Sequence, residues 1–226
     1  MIHALLFDFD GLILDTETPA LQSWLEVFRA HGCHLRPADW VTCIGGAPDM
    51  LDPVAMLEAQ LGRRVDRAAV HRARSLREEQ LVAAQQILPG VSEYIRHARR
   101  QGLALGVVSS SGHAWVDRHL RRLGLWTDFQ LVKCSDDVPR AKPYPDLYLA
   151  ALDELGITAD QAVALEDSPN GVLAAKRAGL FCVAVPQGPT RGLPMAGADL
   201  VVSSLAELPL ADLVEVLSGQ RAGWKG

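Results

Sequence analysis

Two carboxylates, Asp8 and Asp10, stand one residue apart where the apolar run Ala4-Leu5-Leu6-Phe7 ends. Such a run reads as a strand buried on both faces, the kind found in the middle of a parallel sheet. A buried strand has no structural use for two acids at its exit, because isolated buried carboxylates are costly unless something positive is supplied. Their placement asks for a cation. An Asp-x-Asp-Gly run is also an ordinary polar turn, so the rest of the chain has to decide between the two. Three later segments bear on it: Ser109-Ser110-Ser111, the stretch from Asp136 to Lys142, and Glu166-Asp167-Ser168.

The elements that must position these groups follow from periodicity. Thr18-Pro19 reads as a helix start, with Thr18 as cap and Leu21, Trp24, Leu25 and Phe28 on one face before Gly32. Further helical patterns run over residues 50 to 61 and 66 to 86. No strand pattern interrupts residues 18 to 87. After Leu88-Pro89-Gly90 the chain alternates. Helices are expected at 91 to 100, 113 to 123, 145 to 155, 170 to 178 and 205 to 217. Strands are expected at 103 to 108, 129 to 132, 162 to 165, 181 to 185 and 200 to 202. This is an α/β fold, a doubly wound parallel sheet with an inserted all-helical unit. The core is assigned to residues 1–15 and 88–226 and the helical cap to 16–87.

In a parallel sheet the strand exits share one rim, where ligands bind. Asp8 and Asp10, the serines, the loop to Lys142 and Glu166-Asp167 therefore converge. Four acids with one lysine cannot all stay ionised at such range. A divalent cation resolves the crowding, and oxygen ligands without His or Cys favour Mg²⁺.

With these residues in place the chain resembles the haloacid dehalogenase superfamily, in its β-phosphoglucomutase-like branch with a helical cap. The resemblance is carried by Asp8-Phe9-Asp10-Gly11-Leu12 with Asp15-Thr16-Glu17, Val107-Val108-Ser109, and Asp136-Asp137-Val138 leading to Lys142-Pro143-Tyr144-Pro145-Asp146. Glu166-Asp167-Ser168-Pro169-Asn170-Gly171 completes it. It implies a Mg²⁺-dependent phosphatase of small organic phosphomonoesters. Asp8 would be the nucleophile that becomes an aspartyl-phosphate, and Asp10 the proton carrier. Ser109 and Lys142 would hold the phosphoryl group, and Asp8, Asp167 and the Asp10 carbonyl the metal. Glu166 would be a direct or indirect ligand. Ser110, Gly45 and Gly46 are further substrate-binding candidates.

Physical reasons stand beside the resemblance. A carboxylate nucleophile splits ester hydrolysis into two displacements, while Mg²⁺ and lysine stabilise phosphoryl charge. The turn at Gly11 would re-aim Asp10 towards Asp8. Ser111 and Ser168 read as helix N-caps, and Ser109 as a phosphate contact. The histidines lack metal spacing, and His113 alone is placed where it could line a pocket. Trp24 and Trp115 fall at core spacing, and Asn170 could reach the rim.

Composition narrows the field. The chain has 226 residues, 49% of them hydrophobic, and a net charge of −5, which argues against a nucleic-acid binder. Arginines at 63, 64 and between 67 and 77 read as a solvated helix face. No apolar run is long enough to span a membrane. Cys33, Cys43, Cys134 and Cys182 have no metal spacing, and a reduced, cytoplasmic setting and a monomer are expected. A dehalogenase or phosphonate hydrolase of the superfamily would not need Asp10, and a receiver module is shorter and lacks a cap. The nearest rival is a phosphosugar mutase. Such mutases carry a histidine where this chain has Ala20, and a basic cap loop where it has Cys43-Ile44-Gly45-Gly46-Ala47-Pro48-Asp49. A cap over the rim admits a small phosphorylated metabolite and excludes water, with hinges expected near residues 12 to 15 and 88 to 90.

Overall fold

The computed structural model describes residues 1–41 and 52–219. Its centre is a six-stranded, all-parallel sheet. Strand β1 (Ala4–Phe7) is followed by α1 (Glu17–Ala30), α2 (Pro37–Val41), α3 (Pro53–Leu61), α4 (Arg67–Ala83) and α5 (Val91–Arg100). Then come β2 (Ala104–Val108), α6 (His113–Arg122), β3 (Leu131–Lys133), α7 (Asp146–Leu155), β4 (Ala162–Glu166) and α8 (Pro169–Arg177). The chain closes with β5 (Phe181–Ala184), β6 (Leu200–Val201) and α9 (Leu210–Leu217). The strand order is β3-β2-β1-β4-β5-β6, with Phe7 level with both Val107 and Leu165. That register puts the exits of β1, β2 and β4 at one height.

Alternation along the strands divides the core. Leu5, Phe7, Leu105, Val107, Val163 and Leu165 face the apolar sides of α5, α6 and α9. Ala4, Leu6, Val108, Ala162 and Ala164 face those of α7 and α8. Residues on both faces are apolar, as expected of strands covered by helices on both sides. A third cluster, made by Trp24 and Phe28 of α1, Leu35, Trp40, Val54, Leu57 and Val70, lies among α1 to α4.

Several boundaries differ from the sequence expectation for local reasons. Helix α1 begins at Glu17, because the Asp15 carboxylate accepts the Thr18 N–H at 3.0 Å and Thr18 does no capping. Helix α2 was not foreseen. The helix expected over 205 to 217 is broken into a 3₁₀ turn, Leu205–Glu207, and α9, with Pro209 between them. Proline has no N–H to give and disfavours helical backbone before it. No described helix is long and apolar enough to cross a membrane.

The two chain crossings between the sheet and helices α1 to α4 lie side by side. Leu14 pairs with Ile87, and the Leu88 N–H donates to the Ile13 carbonyl at 3.0 Å. A further tie comes from α6: the Arg122 guanidinium donates to the carbonyls of Val82, Ala83 and Gln85 at 3.1 to 3.3 Å, covering the end of α4. Terminal helix carbonyls have no partner within the helix, and a cation there also meets the negative end of the dipole. Arg122→Met should therefore cost about 1 kcal/mol, lowering Tm by roughly 2 to 4 °C in a thermal scan.

Candidate active site

Asp8 extends β1 by one residue, its N–H donating to the Leu165 carbonyl at 2.9 Å, which fixes its side chain at the rim. Lys142 arrives from the loop after β3, and both side chains are more than nine-tenths buried. The lysine's Nζ donates to Asp8 Oδ1 at 2.7 Å and to the Val108 carbonyl at 2.8 Å, and stands 2.6 Å from Glu166 Oε1. An ammonium has three protons, and here each has an acceptor. The Tyr148 hydroxyl also donates to Glu166 Oε1.

Two glycines make this packing possible. A Cβ on Gly11, which has a φ of +80°, would lie 2.0 Å from Asp167 Oδ2. At Gly171 it would lie 1.7 Å from Glu166 Oε2, an oxygen with no hydrogen-bond partner among the described residues. Oxygens of Asp8, Glu166 and Asp167 fall within 4.8 Å of one another, so the three could hold a metal ion.

The electrostatics suit a cation. Burial is the largest influence on Asp8 and raises its pKa; Lys142 opposes it, Glu166 and Asp10 add to it, and the result is about 8. Burial, then Asp8 and Glu166, push Asp167 well above the usual carboxylate range. For Lys142 burial acts downward, but Asp8 and Glu166 outweigh it and keep the ammonium charged.

Asp10 is held by a different set of groups from those on Asp8. Ser111 Oγ donates to its Oδ2 at 2.7 Å and Ser109 Oγ at 3.3 Å, while the Trp115 indole N–H donates to Oδ1 at 2.9 Å. Two sequence readings are corrected here. Ser111 does not cap α6, whose N-cap is Gly112. Trp115 is more than packing, since one edge meets His119 at a centroid distance of 4.3 Å while its N–H reaches Asp10. His119 is buried beside Arg118 and Arg122, and its pKa falls to about 4, so the imidazole is neutral.

Asp8, Asp10, Asp167, Lys142 and Ser109 to Ser111 line one chamber of about 500 Å³ with Asn170. Thr16 just before α1, Glu17 and Ala20 of α1 and Glu78 of α4 also line it. Glu166 lies behind the chamber wall. Ser168 caps α8, accepting the Gly171 N–H at 3.2 Å, as the sequence suggested. His113 does not line the chamber among the described residues; its ring nitrogens meet Asp117 and Asp137. Gly45 and Gly46 lie outside the described residues. Sequence reasoning missed the placements of Trp115, Ser111, Tyr148 and Glu17. It also missed Thr190, whose hydroxyl donates to the Gln187 carbonyl at 2.8 Å and lies 3.4 Å from Asp167 Oδ2. Only Glu17 carried a signal, its closeness to the first acidic motif.

Residues 5–185 match the family model of haloacid dehalogenase-like hydrolases. YhcW of Bacillus subtilis is 41% identical over 220 residues, covering 97% of this chain and 100% of its own. Hexitol phosphatase B of Escherichia coli is 31% identical over 219 residues, covering 94% of this chain and 97% of its own. Among solved structures, CbbY from Rhodobacter sphaeroides in complex with xylulose-(1,5)bisphosphate is 35% identical with a TM-score of 0.75, covering 94% of this chain and 99% of its own.

Two outcomes follow from the geometry. Trp115→Phe keeps the ring but removes a hydrogen-bond donor to the Asp10 carboxyl, a loss of about 0.5 to 3 kcal/mol that should lower kcat severalfold or more in steady-state assays. The raised folded pKa of Asp8, from 3.8 to about 8, means that the cation-free protein binds more protons folded than unfolded, so this group's stability contribution falls as pH rises across that window. Adding a divalent cation at pH near 8 should therefore raise Tm clearly. The gain should shrink towards pH 4, where protons compete for the same oxygens.

Proposed function

The chain belongs to the haloacid dehalogenase-like hydrolases, and from that premise we propose that it is a Mg²⁺-dependent phosphatase acting on small phosphorylated metabolites through an aspartyl-phosphate on Asp8. The observation that carries this reading is the pairing of two differently held acids on one rim: Asp8 against Lys142, and Asp10 against Ser109, Ser111 and Trp115. The names of the relatives, a hexitol phosphatase and a protein solved with a sugar bisphosphate, support a phosphorylated sugar or polyol as substrate. Helices in residues 16–87 would act as the lid of the chamber.

In the proposed reaction a carboxylate oxygen of Asp8 forms a bond to phosphorus as the ester P–O bond breaks. Asp10 gives its proton to the departing alkoxide. It then takes a proton from the water that attacks the aspartyl-phosphate, which frees inorganic phosphate and restores Asp8. Lys142 neutralises Asp8 between turnovers and meets the developing phosphoryl charge with the Ser109 rim. Asp8 and Asp167 would hold Mg²⁺ with the backbone carbonyl of Asp10, and the ion supplies charge stabilisation to the phosphoryl oxygens. Glu166 is assigned an indirect part: its Oε1 faces Lys142 and Tyr148, and its Oε2 abuts Gly171 outside the chamber. Hydrolysis is favoured over a mutase reaction, since Ala20 lines the chamber in the region where the mutases carry histidine.

Mg²⁺-dependent release of phosphate from p-nitrophenyl phosphate tests the reading. Asp8→Asn should reduce it by more than about a thousandfold, and a fully active variant would sink the mechanism. Asp167→Asn should raise the Mg²⁺ concentration for half-maximal rate by more than about tenfold, whereas Glu166→Gln should act chiefly on kcat at saturating Mg²⁺.

A further inference from the structure

Trp115 is a half-buried indole on the chamber wall, and its N–H stays on Asp10 Oδ1 only while something fixes the plane of the ring. Two side chains of α6 pack on it. The exposed Arg118 guanidinium stands 5.4 Å from the ring centre, and the His119 imidazole, 4% exposed, lies across it at 4.3 Å and 66°. The same imidazole lies 6.4 Å from the Phe9 ring, at 30°. Phe9 is the residue between Asp8 and Asp10, so His119 backs Asp10 twice, through its chain neighbour and through its hydrogen-bond donor. A phenylalanine would fill this space too, but it could not accept a hydrogen bond, and Arg122 Nε donates to His119 Nδ1 at 3.3 Å. A guanidinium has only protons to give, which makes Nδ1 the bare nitrogen and leaves the ring proton on Nε2. Nε2 is buried with no hydrogen-bond partner among the described residues, a cost that an apolar side chain would avoid. The rest of the Arg122 guanidinium is taken by the carbonyls of Val82, Ala83 and Gln85. The end of α4 thus fixes the guanidinium, and the guanidinium fixes the imidazole, much as an outer partner orients a functional histidine through its second nitrogen.

We infer that His119 and Arg122 are positioning residues for Asp10: the arginine fixes the imidazole, and the imidazole fixes the indole whose N–H holds the carboxyl. Neither lines the chamber among the described residues, so both act through Trp115. This deepens the hydrolase reading and rests on its assignment of Asp10 to proton transfer. With the indole held, the Asp10 carboxyl meets the departing oxygen in one orientation; with the indole loose, only a fraction of its orientations are productive. The consequence depends on the leaving group. An alkoxide is a poor leaving group until it is protonated, whereas p-nitrophenolate departs as a stable anion and needs little help from an acid. Lost positioning therefore costs more as the leaving group becomes more basic, while a generally loosened fold slows all esters alike.

The test measures kcat/KM, with Mg²⁺, for p-nitrophenyl, phenyl and benzyl phosphate, monoesters of similar size whose leaving groups become steadily more basic. It compares the native protein with His119→Phe, Arg122→Met, the double variant and Asp10→Ala, each assayed well below its Tm with folding checked by circular dichroism. Asp10→Ala should lose at least about tenfold more on benzyl phosphate than on p-nitrophenyl phosphate. His119→Phe and Arg122→Met should follow the same order, falling about fivefold or more on benzyl phosphate and about twofold or less on p-nitrophenyl phosphate. Because the two residues act in series, the double variant should stay within about twofold of the worse single one. If Asp10→Ala discriminates among the esters, then equal losses on all three in either single variant, or no loss, overturn the inference, as does a double variant whose losses multiply. If Asp10→Ala does not discriminate, or no ester is hydrolysed, the role assigned to Asp10 fails instead. The indole N–H resonance of Trp115, assigned with Trp115→Phe, then decides the positioning by NMR. His119→Phe should shift it and speed its exchange with solvent by about tenfold or more, and an unmoved, equally protected resonance overturns the inference.

Discussion

One ammonium group among buried carboxylates is the constraint on which the rest of the molecule depends. Lys142 has Asp8 at 2.7 Å and Glu166 at 2.6 Å, with Asp167 close behind in the same cluster. Burying that many acids around a single cation is unfavourable without further positive charge. The raised pKa values of Asp8 and Asp167 express this strain, and a metal ion would relieve it. The arrangement persists because a well-packed sheet forces it. Strands β1 and β4 are neighbours in register, buried on both faces, so their exits deliver Asp8, Glu166 and Asp167 to one place whatever their charge.

The glycines of the two acidic motifs belong to the same constraint. At Gly11 the chain turns with positive φ directly against the Asp167 carboxylate, a conformation and a clearance that only glycine meets without strain. Gly171 does the corresponding work one strand away, opening the first turn of α8 to Glu166. A side chain at either position would have to displace a carboxylate that is already fixed by its other contacts.

Much of this was legible in the sequence, and the reason is geometric. A parallel sheet turns strand order into spatial neighbourhood, so acids at strand exits could be assembled without knowing a single side-chain direction. Trp115 shows where that reasoning stops. Its spacing with Val116 and Leu120 reads as core, and one side of the ring does pack on His119; that its N–H is turned to Asp10 depends on how α6 is rotated, which periodicity does not encode. Tyr148 and Thr190 escaped for a similar reason. Each reaches an acid from a helix or loop whose pattern would be satisfied by any residue of similar polarity. Pro209 is different, since the break between the 3₁₀ turn and α9 was written in the sequence and an apolar periodicity masked it.

Helix α6 brings these levels together. Trp115, Arg118, His119 and Arg122 follow at helical spacing along one side. Trp115 holds Asp10, His119 packs against Trp115 and near Phe9, Arg118 reaches Glu79, and Arg122 covers the end of α4. His119 can serve as the filler between them because it is neutral, burial chiefly and then Arg118 and Arg122 disfavouring its charge. The same helix thus fixes the orientation of the acid assigned to proton transfer and anchors the last turn of α4, which lends Glu78 to the chamber. A shift of α4 relative to the sheet is made against the support of Asp10, whereas Asp8, held by Lys142, has no such connection among the contacts described. The two acids of the first motif are separated by one residue in sequence and by this difference in what they are tied to.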